Sequence, residues 1–204
     1  MNRIAAVVLA AGLSARFRAA GGADETKLVA RLEGKPIVRR VVETALASLA
    51  RPVVVVVGHA RGAVEAALAG LPAAIAFNPD FESGIASSLR AGLAATPAEA
   101  GGAVVLLGDM PSVAPSLIDD LIRAFEARPS TRAVVPVREG RRGNPVLIAR
   151  ALFEPAMRLA GDEGARRLLP ALDPGDIIEI SAAEGDVILD IDTPGDLVRT
   201  SARF

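Results

Sequence analysis

Cysteine, tryptophan and tyrosine are absent from this 204-residue chain, and histidine occurs once, as His59. Without cysteine there is no disulfide, no thiolate metal site and no cysteine nucleophile. Aromatic residues make up only 3% of the sequence, too few for the stacking platforms on which single-stranded nucleic acids lie. A formal net charge of −1 excludes the strongly basic footprint of a nucleic-acid-binding domain. No apolar run is long enough to span a membrane, and Met1-Asn2-Arg3 opens onto a stretch too short for the core of a signal peptide. The expectation is a cytoplasmic protein with neither nucleic acid nor membrane as a partner. Lysine is nearly missing as well. Of 23 basic residues only Lys27 and Lys35 are lysines, and both fall in the first 35 positions. A compact ammonium and a planar guanidinium are not interchangeable at a phosphate, so a rare lysine beside a glycine loop is informative.

What is present is apolar and periodic. Hydrophobic residues make up 51% of the chain, and 204 residues suffice for one α/β domain with a substantial core. Apolar runs alternate with helical patterns, which predicts βα units, a mostly parallel sheet and helices on both faces, in one domain over residues 1–204. Strands are expected at 4–9, 52–57, 73–77, 103–107, 132–137, 145–149 and 176–180, with a short late one at 187–190. Helices are expected at 36–50, 61–69, 84–95, 115–127, 151–158, 162–170 and 194–201. Val53-Val54-Val55-Val56-Val57 has no polar alternation, as befits a strand covered on both faces. In such sheets ligands lie at the carboxyl ends of the strands, so the residues that follow each run carry the functional signal.

After the first run, Ile4 to Leu9, comes Ala10-Ala11-Gly12-Leu13-Ser14-Ala15-Arg16, with Lys27 eleven residues beyond Arg16. Small residues let backbone amides approach a polyphosphate, and Arg16 and Lys27 add charge. As structure alone, the same segment is a tight turn with two solvated cations. After run 103–107, Gly108-Asp109-Met110-Pro111 places Asp109 at the sheet edge. One carboxylate there suits Mg²⁺, which needs one or two protein carboxylates plus substrate phosphates; a helix cap is the alternative. Near the other end, Asp190 and Asp192 share a face by alternation, and either one could complete a metal site with Asp109. Thr193-Pro194 after them fits a helix start.

Two polar segments could lie along substrates. Asn78 to Arg90 offers Asn78, Ser87 and Ser88 to a base or a phosphate. Arg138 to Pro145, with Arg141, Arg142 and Asn144, is a basic turn suited to a second anionic ligand or a solvated hairpin tip. Arg166, in Gly161-Asp162-Glu163-Gly164-Ala165-Arg166, joins it as a candidate for the acceptor. His59, just after the valine strand, is expected on a pocket wall or the surface, outside the chemistry.

In this order, these motifs resemble the molybdenum-cofactor nucleotidylyltransferases, within the Rossmann-like nucleotidyltransferases and closest to the CTP:molybdopterin cytidylyltransferase branch. The resemblance rests on Leu9-Ala10-Ala11-Gly12-Leu13-Ser14, Arg16, Lys27, Gly34-Lys35-Pro36 and Asn78-Pro79, then on Ser87 to Leu93 and Leu107 to Pro111. It continues through Arg142 to Val146, Gly161 to Arg166 and Asp190 to Pro194. It implies that Leu9, Ala10, Ala11 and Gly12 bind the nucleotide with Arg16 and Lys27, and that Asp109 holds Mg²⁺. The implied partners are CTP, or another NTP, and a molybdopterin-type phosphate, with a molybdoenzyme or its maturation chaperone downstream. The Ala-Ala-Gly loop resembles the cytidylyl branch; the guanylyl branch typically has Ala-Gly-Gly. One departure stands out: Arg16 is followed by Phe17 where the family usually has a Met-Gly pair, and glycine arrives only at Gly21-Gly22. The implied reaction is attack of a phosphate on the α-phosphorus of CTP. The alternatives are a guanylyl or sugar/polyol-phosphate transferase on the same scaffold, and a non-catalytic cofactor carrier. A dinucleotide-binding oxidoreductase fits poorly, because the loop lacks Gly-x-Gly-x-x-Gly spacing.

Overall fold

The computed structural model describes residues 3–182 and 191–201. Its spine is β1 (Ile4–Ala10), buried at every position. Alternation along β1 sends Ile4, Ala6, Val8 and Ala10 into one core layer and Ala5, Val7 and Leu9 into the other. A strand buried on both faces has no use for polar alternation, which is why this run reads as continuously apolar.

The strands follow in chain order. β2 (Arg31–Leu32) and β3 (Lys35–Pro36) form a small antiparallel hairpin apart from the main sheet. The main sheet adds β4 (Val53–Val57), β5 (Ala74–Phe77), β6 (Gly102–Leu107), β7 (Ala133–Arg138), β8 (Arg141–Arg142), β9 (Val146–Ala149) and β10 (Ile177–Ser181). Its order is β10-β7-β9-β6-β1-β4-β5, with β8 paired to β7. Strand β1 lies parallel to both β4 and β6, in register Leu9↔Val56 and Leu9↔Leu107. Only β9 and the short β8 run antiparallel to their neighbours. Because β9 is antiparallel to β6 and to β7, those two strands point the same way. The Arg138–Arg142 turn therefore leaves the same sheet edge as Asp109.

Helices cover both faces, as expected. α1 (Ala15–Ala19) follows the first loop. α2 (Ile37–Ala47), α3 (Arg61–Ala67) and α5 (Pro115–Ala127) pack on one face, through Val38, Val41, Val64, Ile118 and Leu121. α4 (Ile85–Ala94) and α6 (Phe153–Ala156) cover the other, through Leu89, Leu93, Phe153 and Ala156. α7 (Pro194–Ser201) closes the described chain. No helix among the described residues is long and apolar enough to cross a membrane.

The differences from the sequence expectation are local. The helix predicted at 162–170 is a 3-10 segment, Ala165–Ala171, with Pro170 inside it; proline lacks the N–H that an α-helix would need there. The helix predicted at 151–158 splits into a 3-10 turn, Arg150–Leu152, and the short α6. The strand expected at 187–190, with Asp190, lies outside the described residues.

Candidate active site

The loop after β1 is closed on itself. Ser14 adopts a left-handed conformation (φ 53°, ψ 33°). Its Oγ lies 2.8 Å from Thr26 Oγ1 and accepts the Lys27 backbone N–H at 3.2 Å. Thr26 is fully buried. Residues 15–25 are therefore an excursion pinned at both ends, and the pin turns Lys27 back over the sheet edge. From β6, the Gly108 N–H donates to Leu9 O at 2.9 Å, which keeps the two strand ends in step and delivers Asp109 beside the loop. α5 begins only at Pro115, after Ala114, so Asp109 is not used as a helix cap.

A third segment comes from the far end of the chain. The Ile191 N–H donates to Asp109 O at 3.1 Å, and its side chain is fully buried. Asp196 Oδ2 accepts from the backbone N–H of Asp192 and Thr193, at 3.2 and 2.7 Å, and from Thr193 Oγ1 at 2.8 Å. This reciprocal cap starts α7 and fixes the direction of Asp192.

The three segments meet in a row of alternating charge. Lys27 Nζ lies 2.7 Å from Asp109 Oδ2 and 2.9 Å from Asp192 Oδ1, and Arg16 Nη1 lies 2.7 Å from Asp192 Oδ2. Burial works against the Lys27 ammonium, but the attraction and hydrogen bond of Asp109, with those of Asp192, raise its pKa above the ordinary 10.5. The hydrogen bond from Lys27 holds Asp192 below its ordinary 3.8 against partial burial, and Arg16 helps. The Arg16 side chain is 80% exposed, so its pairing is worth little in stability. Asp109 Oδ1 is different. It is buried and has no hydrogen-bond partner among the described residues. A buried carboxylate oxygen without a partner is costly, and a hard divalent cation would satisfy it. Asp109 and Asp192 with phosphate oxygens and water make a donor set that fits Mg²⁺. Among the described residues no group of three or more His, Cys, Asp or Glu side chains stands ready to hold a metal without substrate.

A cleft of about 420 Å³ opens at this edge, and Leu9, Gly12, Lys27, Phe81, Ser88 and Asp109 are among its lining residues. A smaller cleft of about 260 Å³ is lined by Gly12, Ser14, Arg16, Phe17 and Asp192, and it shares Lys27 and Asp109 with the first. Lys27 and Asp109 thus stand where the two clefts meet.

The expected residues divide accordingly. Leu9, Ala11, Gly12, Lys27, Asp109 and Ser88 line the main cleft, whereas the Ala10 side chain points into the opposite core layer. Asn78 lies behind the cleft wall. It is 2% exposed, its Nδ2 donates to Ser87 Oγ (2.8 Å) and Ser88 Oγ (3.1 Å), and its Oδ1 accepts from the Asp80 N–H (3.0 Å). Its amide is consumed in holding the 80–84 turn, and the Ser87 hydroxyl donates to Gly84 O in the same turn. These two shape the cleft wall without lining it. Arg141, Arg142, Asn144 and Arg166 line neither cleft. Arg142 pairs with Glu179 at 2.7 Å, and Arg166 Nη1 donates to Arg142 O at 3.1 Å. His59 sits behind Phe81, with ring centres 6.2 Å apart, and outside the cleft lining. Sequence reasoning passed over Ser14 and Thr26 as a pin, and Glu82 and Asp162 as lining residues. Ser14 and Glu82 lie inside segments singled out above, Thr26 directly precedes Lys27, and Asp162 stands in the run that holds Arg166.

The sequence profile of the MobA-like NTP transferase domain matches residues 6–175. The chain belongs to that family. It is a MobA-like nucleotidyltransferase, and Asp192 lies beyond the stretch that the profile covers. The chain is 26% identical to the molybdenum cofactor cytidylyltransferase of Escherichia coli K12, over all of this chain and 98% of that one. Rv0371c of Mycobacterium tuberculosis H37Rv has the same fold, with TM-score 0.83 and 29% identity over 98% of both chains. A manganese complex of Rv0371c matches with TM-score 0.81 and 27% identity over both whole chains.

Proposed function

We propose that this MobA-like transferase moves a cytidylyl group from CTP to the terminal phosphate of a molybdopterin-type acceptor, using Mg²⁺. An acceptor oxygen forms a bond to the α-phosphorus, the bond from that phosphorus to the bridging oxygen breaks, and pyrophosphate leaves with the electron pair. A phosphate monoester has a second pKa of ~6, so the nucleophile is already dianionic and no general base is required. The obstacle is the approach of two anions, which positioning and charge neutralisation overcome.

The observation that carries this reading is the Arg16–Asp192–Lys27–Asp109 row at the junction of two clefts. In this reading the nucleoside lies in the larger cleft and the phosphates face Gly12, Ser14, Arg16 and Lys27 in the smaller. Asp109 and Asp192 would hold the metal, which would supply charge neutralisation for the phosphates and the leaving group. Lys27 turns from the carboxylates to the triphosphate. Arg141, Arg142, Asn144 and Arg166, on the same sheet edge, receive the acceptor. The full-length likeness to a cytidylyltransferase and the Ala10-Ala11-Gly12 loop support CTP.

The decisive experiment measures pyrophosphate release with CTP, GTP, ATP and UTP, with and without molybdopterin, in Mg²⁺. Release that needs both CTP and molybdopterin is expected. Preference for GTP would move the chain to the guanylyl reading, and tight nucleotide binding without any release would make it a carrier.

A further inference from the structure

The stretch after Arg16, where this chain departs from its family resemblance, contains a buried aromatic. Phe17 is 2% exposed although it sits on a five-residue helix at the protein surface. It joins Ala30, Leu32, Ile37 and Ile191 in a third apolar cluster, with Leu197 packed against it, separate from the two layers that flank the sheet. The late glycine is matched to it. The Gly22 N–H donates to Phe17 O at 3.0 Å, and a Cβ at Gly22 would come within 2.2 Å of Phe17 Cε1. The longer loop is folded around that ring.

The members of this cluster adjoin each of the four residues in the charged row. Phe17 follows Arg16, Ile191 precedes Asp192, the Ile191 N–H holds Asp109 O, and the Ala30 N–H donates to Lys27 O at 3.2 Å. In the metal reading the Lys27 ion pairs do not persist through turnover, because Lys27 leaves Asp109 and Asp192 when metal and triphosphate enter. We propose that Phe17 and Ile191 are positioning residues: the apolar cluster they share keeps Asp192 against Asp109 once Lys27 has turned away. The inference rests on the metal reading above and deepens it.

The test uses the full chain with Phe17→Ala, Phe17→Leu and Ile191→Ala, and Asp109→Asn as a control. Binding of Mn²⁺ is read from the paramagnetic resonance of the free ion, and hydrogen exchange is followed in peptides spanning 191–197. Phe17→Ala is expected to weaken Mn²⁺ binding about 10-fold, as the loss of an outer-shell support does, and to speed exchange at residues 191–196. Phe17→Leu should restore most of both. Faster exchange confined to residues 14–30 with unchanged Mn²⁺ affinity would overturn the inference. If wild type binds no Mn²⁺ that Asp109→Asn abolishes, the metal reading fails, and exchange at 191–196 alone decides the role of Phe17. Should Phe17→Ala not fold by circular dichroism, Ile191→Ala gives the reciprocal result, with faster exchange at 16–22 expected and none there overturning the proposal.

Discussion

Lys27 is the residue on which the proposed chemistry converges, because one ammonium lines two clefts and pairs with two carboxylates. In the proposed reading Lys27→Ala removes a charge that would meet the phosphates, and turnover should fall at least ~10-fold, as when one charge-stabilising donor is lost. Near-normal turnover would take Lys27 out of the mechanism. The same substitution leaves Asp109 and Asp192 with only the exposed Arg16, at Asp192, to offset them, so apo protein should lose stability that Mn²⁺ restores. Asp109→Asn keeps the shape but halves the anionic donor set. Its activity should collapse and its dependence on added metal should change, and an identical metal titration would remove Asp109 as a ligand. His59 makes the opposite case. Its Nε2 meets the Glu25 carbonyl at 3.3 Å, and its ring lies 6.2 Å from that of Phe81. His59→Ala should leave single-turnover rates within about twofold, because a dianionic phosphate nucleophile needs no base. A large drop would mean that a proton transfer has been overlooked.

At the scale of elements, the sequence was legible wherever burial was two-sided and illegible wherever local chemistry chose between close alternatives. Continuous apolar runs announced β1, β4 and β6, and Pro115 marked the start of α5 at the expected residue. The β2–β3 hairpin was missed because two-residue strands carry no period. Its only signal is Glu33-Gly34, both with positive φ, of 49° and 77°, as a tight hairpin turn demands. Lys27, Arg16 and Asp109 could be named from strand ends, since the carboxyl edge of a parallel sheet gathers them. That Asp192 closes the row was open between two aspartates in the sequence. That Asn78 works as a clamp was hidden, because an amide beside two serines reads equally well as a ligand. Helix α4 links this scale to the site, for it carries Ser88 and lies close against the sheet. A Cβ at Gly92 would stand 2.3 Å from Val7 Cγ1 and 2.9 Å from Val56 Cγ2. Gly92→Ala should therefore push α4 off the sheet and cost about 1–3 kcal/mol, as overpacking does. Thermal unfolding checks this, with a fall of roughly 2–4 °C per kcal/mol expected for a chain of this size. An unchanged melting temperature would show that the layer can open without strain.

For the molecule as a whole, the charged row ties together segments that lie far apart in the chain. Lys27 and Asp192 are 165 positions apart, so forming their pair closes a loop that contains every strand of the main sheet except β1. The pKa shifts make this tie dependent on pH at both ends. Asp192 has a folded pKa below 3.8, so its contribution is complete above 3.8 and is lost as pH falls through the lower folded value. Lys27 has a folded pKa above 10.5, so its contribution is complete below 10.5 and is lost as pH rises through the higher folded value. Between those limits the tie holds at constant strength. Asp192→Asn removes the carboxylate without removing the Thr193–Asp196 cap, so the difference in melting temperature between wild type and variant isolates the tie. That difference should be flat from mildly acidic to mildly alkaline pH and should shrink below 3.8 and above 10.5. Thermal melts of both proteins across that range decide it. A difference that persists unchanged in strong acid would mean that Asp192 stabilises the fold through its packing, and that the charged row is held by the apolar cluster beneath it.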